Sequence, residues 1–221
     1  MLDSIKFIDG GITAAKGFTA SGYNCGIKVG RTKNDTALVY SEKLCNASGV
    51  FTRNIVKAES VKYTQQILKN GKAQAAIVNV GYANACTGEQ GAQVAKKMAI
   101  AAANALNINP DDVIVCSTGI IGQQVPVEKI EKNIMNLKNG LSKEGHKDAS
   151  IGIMTTDTQN KECAVQFELD GKVVTIGTMC KGSGMIHINM GTMLGFIATD
   201  CNITSAMLDK ALHESILGTY N

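Results

Sequence analysis

The sequence predicts a mixed α/β or α+β domain in which helices pack on sheet in two layers. Three observations carry that reading. Short apolar runs such as "AAIVN" (Ala75 to Asn79) and the run from Val113 in "DDVIVCSTG" have the length and bounding turn residues of buried strands. "SVKYTQQILK", the Ala-rich stretch up to Leu106 and "VPVEKIEKNIMNLKNG" place apolar residues at helical spacing. "AVQFELDGKVVTIGTM" puts Asp170-Gly171, a favoured two-residue hairpin turn, between two strand-like segments.

Taken in order, the first fifty residues read as short strands joined by glycine turns: "GGITAAKGF", "SGYNCGIKVG", "DTALVYSE". A helix follows from Ser60 to Lys69, stopped by Asn70-Gly71, and then the Ala75 to Asn79 strand. Thr87, with Gln90 three residues on, has the form of a capping box at the head of the Ala-rich helix. The strand from Val113 runs into a turn at Thr118-Gly119. Pro126 suits the first turn of the next helix and Gly140 its end. "ASIGIMTTDT" (149 to 158) reads as another buried strand. The hairpin comes next, then a strand from Thr192 in "TMLGFIAT", and a last helix in "SAMLDKALHESIL" with Thr204 as its cap.

Composition narrows the function classes. A chain of 221 residues can bury a substantial core as one large domain or two small ones. A net charge of +3 is too small to argue for nucleic acid or an anionic membrane surface, and the absence of Trp argues against a base-stacking platform. No apolar run approaches the roughly 20 residues of a membrane span. "MLDSIKFIDGG" has no apolar core of the signal-peptide kind. The seven cysteines, Cys25, Cys45, Cys86, Cys116, Cys163, Cys180 and Cys201, include no C-x-x-C pair. They are expected to be reduced, buried thiols of a cytoplasmic protein. His146, His187 and His213 are scattered, so no metal site is expected.

Three threonine-bearing loops adjoin apolar strands: "CSTGIIG" (116 to 122), "MTTDT" (154 to 158) and "KGSGMIHINMGTML" (181 to 194). Threonine at a strand end commonly closes a turn or caps a helix. Lys181 reads equally as a solvated lysine, and Gly182 and Gly184 as turn glycines. No phosphate-binding glycine loop occurs. The alternative concerns Thr192. A hydroxyl becomes a useful nucleophile when a base takes its proton, and a threonine at a chain N-terminus carries that base as its own α-amine. Thr192 is internal, so this chemistry requires the chain to cut itself at Gly191-Thr192. The hydroxyl would attack the Gly191 carbonyl in an N-to-O acyl shift, and hydrolysis of the ester would free the amine.

"GGITAAKGF", "SGVFTRN", "GYANACTG", "CSTGIIG", "IMTTDT" and "KGSGMIHINMGTMLGFIATD" follow one another in this order. Together they closely resemble the bifunctional glutamate N-acetyltransferase / ornithine acetyltransferase family of arginine biosynthesis, over essentially the whole chain. The resemblance implies an α/β sandwich with sheets between helix layers. It implies a precursor that cleaves itself into α and β chains, with Thr192 as nucleophile and new N-terminus. Thr118 and Gly119 would form the oxyanion hole, and Thr155, Lys181 and Thr192 would bind substrate. The implied reaction is ping-pong transfer of acetyl from N2-acetylornithine to glutamate through an acetyl-threonine ester. It needs no metal or organic cofactor, and acetyl-CoA is a further donor in some members. The expected assembly is a heterotetramer of two α and two β chains, with neither nucleic acid nor membrane as partner.

Some positions depart from the family pattern. Gly191 stands where Ala is usual, Ile188 in "HINM" stands at a Pro position, and Tyr82 in "VGYANA" replaces a small residue. The division expected is an α-chain-like region 1–191 and the start of a β-chain-like region 192–221, much shorter than the family's β chain. This predicts a sandwich incomplete in its C-terminal half, with apolar faces left uncovered. Two other readings stand beside the acetyltransferase: a related N-terminal-nucleophile aminopeptidase, and a non-catalytic remnant or scaffold subunit.

Overall fold

The computed structural model describes residues 5–185 and 190–220, which build two four-stranded sheets and five α-helices. The elements are β1 (Lys6–Ile8), β2 (Phe18–Tyr23), β3 (Thr36–Asn46), α1 (Glu59–Ile67), β4 (Lys72–Tyr82), α2 (Gly88–Leu106) and β5 (Val113–Ile120). They continue with α3 (Val127–Asn139), α4 (His146–Gly152), β6 (Lys161–Leu169), β7 (Lys172–Lys181), β8 (Leu194–Thr199) and α5 (Ser205–Ile216). One sheet has the order β2-β3-β4-β5, antiparallel except for the parallel pair β4/β5. The other has the order β1-β6-β7-β8 and is antiparallel throughout.

The β2–β5 sheet is apolar on both faces, as a sheet sandwiched between layers must be. On one side Leu38, Ala75, Ile77, Val113 and Val115 meet the small side chains of α2 and the apolar stripe of α3. On the other, Ala37, Val39, Ala76 and Val78 face Ala149 and Ile153 around α4, and Met179 and Ala198 of the second sheet. The layers therefore run helices, sheet, a thin filling of α4 and the 3-10 turn Gly11–Thr13, and then sheet. At Gly177 a Cβ would lie 2.1 Å from the Gly11 carbonyl oxygen, so this contact requires glycine.

The far face of the second sheet is bare by comparison. Phe7, Val165 and Ile176 share one cross-strand row, and Cys163, Thr178 and Ile197 the next. Phe7 is 80% exposed and Ile197 48%. α5 buries none of its residues; the ring of Tyr220 beyond it lies against Gly195.

The expected class holds, and so do most elements. Asp170 and Gly171 both take positive φ in the tight turn between β6 and β7. The Thr204 hydroxyl accepts a hydrogen bond from the Met207 N–H as the cap of α5. Gly71 ends the first helical segment in the left-handed conformation, after a 3-10 turn at Leu68–Asn70. Pro126 is the residue before α3 rather than its first turn.

Four expectations are corrected. The segment 149–158 is not a strand: α4 runs to Gly152, and a turn follows. Its short helix is imposed from outside, because α4 packs against β2 and β3 so closely that Cβ atoms at Gly145 and Gly152 would strike the Ala20 and Thr36 carbonyls. Thr87 makes no capping box. Its hydroxyl instead donates to Asn84 Oδ1 at 2.8 Å, while Asn84 Nδ2 donates to the Gly91 carbonyl at 3.0 Å. The strand expected from Thr192 starts at Leu194. All seven cysteines are free, yet only Cys25 is buried; Cys86 sits in a surface loop and Cys163 on the bare sheet face. Burial pushes the Cys25 thiol up to about 11.

Candidate active site

Three of the threonine-bearing loops converge where β5, β7 and the approach to β8 meet. Lys181 is the last residue of β7 and is only 5% exposed. Its Nζ donates to Thr118 Oγ1 at 2.9 Å and to the Thr192 carbonyl oxygen at 3.2 Å. Lys181 thus joins the end of one sheet to the junction that precedes the last strand of the other. Burial holds its ammonium below the ordinary lysine range, partly offset by the charge of Asp157.

Thr118 is buried near the end of β5, and Gly119 follows with φ +138°. A Cβ at Gly119 would lie 2.2 Å from the Gly81 carbonyl carbon, so only glycine allows β5 to run this close to β4. The neighbouring "GYANACTG" loop braces this end. The Ala83 N–H donates to the Ile120 carbonyl at 2.9 Å, and the Gly122 N–H to the Ala85 carbonyl at 2.8 Å. Asn84 and Cys86 adopt left-handed backbone there. Tyr82, large where the resemblance leads one to expect a small residue, is half-buried and packs on the helix-side core.

The 154–158 turn faces the 182–185 turn, and hydrogen bonds tie them. Asp157 Oδ1 accepts from the Gly182 N–H at 2.9 Å, and Thr156 Oγ1 from the Gly184 N–H at 3.3 Å. Asp157 also accepts from the Thr155 N–H through Oδ2 at 3.2 Å and from Lys161 Nζ through Oδ1 at 2.5 Å. Burial by itself would raise the Asp157 carboxyl. The bonds from Lys161, Gly182 and Thr155 outweigh burial and bring it down to about 2.

The structure brings Thr118, Lys181 and Thr192 together in one network. Thr155 enters through its backbone N–H. Gly119 borders Thr118, and Gly191 is exposed beside Thr192. The Thr192 hydroxyl donates to the Met185 carbonyl at 2.9 Å. His187 and Ile188 lie outside the described residues. Asp157, Thr156 and Lys161 were missed from the sequence. The one available signal was an acid between the threonines of "MTTDT" with a lysine four residues on. Among the described residues no three His, Cys, Asp or Glu side chains converge as a metal site requires. No helix among them is long and apolar enough to cross a membrane.

This arrangement has clear chemical capacities. A hydroxyl and a buried ammonium side by side can stabilise a developing oxyanion or pair with a carboxylate. The sequence model of the ArgJ family matches residues 19–221. The chain belongs to the ArgJ family. The arginine biosynthesis bifunctional protein ArgJ of Caldanaerobacter subterraneus is 51% identical over 217 residues, which are 98% of this chain and 53% of that protein. The crystal structure of the ArgJ protein from Bacillus halodurans matches with a TM-score of 0.78 at 37% identity, over 86% of this chain and 98% of that one. Ornithine acetyltransferase of Mycobacterium tuberculosis, solved in complex with ornithine, matches at 0.76 and 37% identity, over 88% of this chain and 100% of that one. The chain spans about half the length of the curated ArgJ relatives it matches.

Proposed function

We propose that this chain carries the nucleophile and oxyanion side of an acetyltransferase that moves acetyl from N2-acetylornithine to glutamate. The observation that carries the reading is the Lys181 ammonium, buried and bonded at once to the Thr118 hydroxyl and the Thr192 carbonyl. The family supplies the reaction class, and ornithine bound to a relative supports the substrate class.

In this reading the chain first cuts itself at Gly191-Thr192 into the α-chain-like region 1–191 and the β-chain-like region beginning at Thr192. The freed α-amine, with a pKa of about 7.7–8.0, then acts as base for its own hydroxyl. Thr192 Oγ attacks the acetyl carbonyl of N2-acetylornithine and passes its proton to the amine. The tetrahedral oxyanion is held by Thr118 and the Gly119 N–H. Collapse breaks the amide C–N bond, and ornithine leaves carrying the proton. The α-amine of glutamate attacks the acetyl-Thr192 ester, the C–O bond breaks, and Oγ regains a proton as N-acetylglutamate departs. Lys181 and Thr155 hold the amino acid, the ammonium of Lys181 pairing with its carboxylate. The chemistry uses no cofactor, and acetyl-CoA is a second donor. Assembly as an α/β heterotetramer and a cytoplasmic location belong to the same proposal, as does the absence of nucleic-acid and membrane partners.

The test supplies the whole protein with N2-acetylornithine labelled in its acetyl group, with and without glutamate. Label in N-acetylglutamate that depends on both substrates supports the reading. Hydrolysis of short peptide amides without transfer to glutamate would make the protein an aminopeptidase. Neither activity would leave the scaffold reading.

A further inference from the structure

The reaction as proposed above assigns no role to Asp157, the most thoroughly bonded buried acid near the site. Its side chain is 0% exposed, whereas its partner Lys161 is 44% exposed. A simple ion pair to a half-exposed lysine would not require burying the carboxylate, since exposed pairs contribute little. Of the other two bonds, the one from the Thr155 N–H closes Asp157's own turn and the one from the Gly182 N–H crosses to the facing turn. Thr155 lies on the turn after α4, and Gly182 directly follows Lys181. A second crossing bond, Gly184 N–H to Thr156 Oγ1, joins the same two turns. The Asp157 carboxylate therefore closes the gap between two loops that belong to different layers of the fold.

We propose that Asp157 is a positioning residue for the acetyl-transfer site: its carboxylate clamps its own turn to the Gly182 turn and so keeps Lys181 aimed at Thr118 and Thr192. The inference rests on the acetyltransferase reading for its catalytic consequence but not for its geometry. Both oxygens of Asp157 face donors. An amide in its place would point an NH2 group at one of them, losing a bond as well as the charge. Among the described residues the charges acting on Lys181 are Asp157, which stabilises its ammonium, and Lys161, which opposes it. The groups that face Lys181 from β5 and from the approach to β8, the Thr118 hydroxyl and the Thr192 carbonyl, are neutral. The two members of the 157–161 pair therefore act on Lys181 in opposite directions, and of the two it is Asp157 that bonds the turn directly after Lys181.

The experiment follows the Lys181 side-chain NMR signal against pH in the whole protein, in a Thr192→Ala background so that no new α-amine titrates nearby. In Asp157→Asn the Lys181 midpoint should fall, because the charge that favours its ammonium is lost. In Lys161→Met it should rise, and in Asp157→Glu, which keeps the charge, it should return toward wild type. With Thr192 restored, the alkaline limb of acetyl transfer should move in the same directions. Midpoints unmoved by Asp157→Asn, or equal losses in Asp157→Asn and Lys161→Met with no opposed pH shift, would overturn the proposal and leave Asp157 a structural acid. Opposed midpoints in a protein that transfers no acetyl would support the clamp and overturn the acetyltransferase reading instead. Asp157→Glu, with a thermal melt beside each variant, separates misfolding from loss of positioning.

Discussion

The two sheets are built to different standards of enclosure. The β2–β5 sheet has helices on one face and the second sheet on the other, and Leu38, Ile77, Val78 and Val113 are fully buried within it. Among the described residues the β1-β6-β7-β8 sheet is enclosed mainly on its inner face, through Ala164, Met179 and Ala198, while on the other face Tyr220 lies against Gly195 and Phe7 and Ile197 look outward. The candidate site lies on the seam between the two. Thr118 and Gly119 come from the enclosed sheet, Lys181 and Thr192 from the half-covered one. The difference teaches that Thr118 and Gly119 are set by an enclosed core. Lys181 and Thr192 depend on cross-links between loops.

Substitutions can break this comparison. The largest effect should come from Ile77→Ala or Gly119→Ala. The first opens a cavity in the doubly covered sheet and should cost about 2–5 kcal/mol. The second forces a methyl into the Gly81 backbone, and about 3 kcal/mol or more is expected from displaced strands. Denaturant titration measures both, and a loss under about 1 kcal/mol in either would mean that this sheet is not the rigid partner.

Lys181→Met should separate function from stability. Transfer should fall by roughly 10–10²-fold, mainly through KM, the scale of losing a charge-assisted bond to the substrate carboxylate. Thermal stability should change little or rise, because burying an ammonium is itself costly. Steady-state assays beside calorimetry would show the split, and a parallel collapse of both would contradict it.

Acid titration gives a smaller effect with a definite sign. The Asp157 carboxyl lies at about 2 in the folded chain against an ordinary 3.8. Its contribution to stability is therefore complete above the ordinary value and is lost as pH falls through about 2. Asp157→Asn should flatten the fall in stability between about pH 4 and pH 2, followed by circular dichroism. An unchanged acid limb would mean that the carboxylate is not held as described.

The smallest effect is expected on the bare face. Phe7→Ser or Ile197→Ser should alter stability by about 0.5 kcal/mol at most while reducing aggregation. A loss of several kcal/mol would show that this face is covered in the folded protein.

Legibility followed the same division. The continuous apolar run of β4, the Ala-rich α2 and the Asp170-Gly171 turn are local signals, and local physics decided them. The segment 149–158 was opaque, because α4 exists through packing of Gly145 and Gly152 against strands more than a hundred residues away in sequence. Thr118, Lys181 and Thr192 were legible as candidates through motif resemblance, and the structure brings them together. Asp157 was not: its i,i+4 lysine is a weak signal, and its bond across to the Gly182 backbone N–H leaves no trace in residue identity. The exposed Cys163 shows the limit of composition: a thiol on an apolar strand is buried only if something covers that face.

The most direct test is the intact mass of the purified protein beside Thr192→Ala. Two fragments, residues 1–191 and the piece beginning at Thr192, are expected from the wild type, with a single uncut chain from the variant. A single uncut mass in both would contradict the assignment of Thr192 as a nucleophile released by self-cleavage.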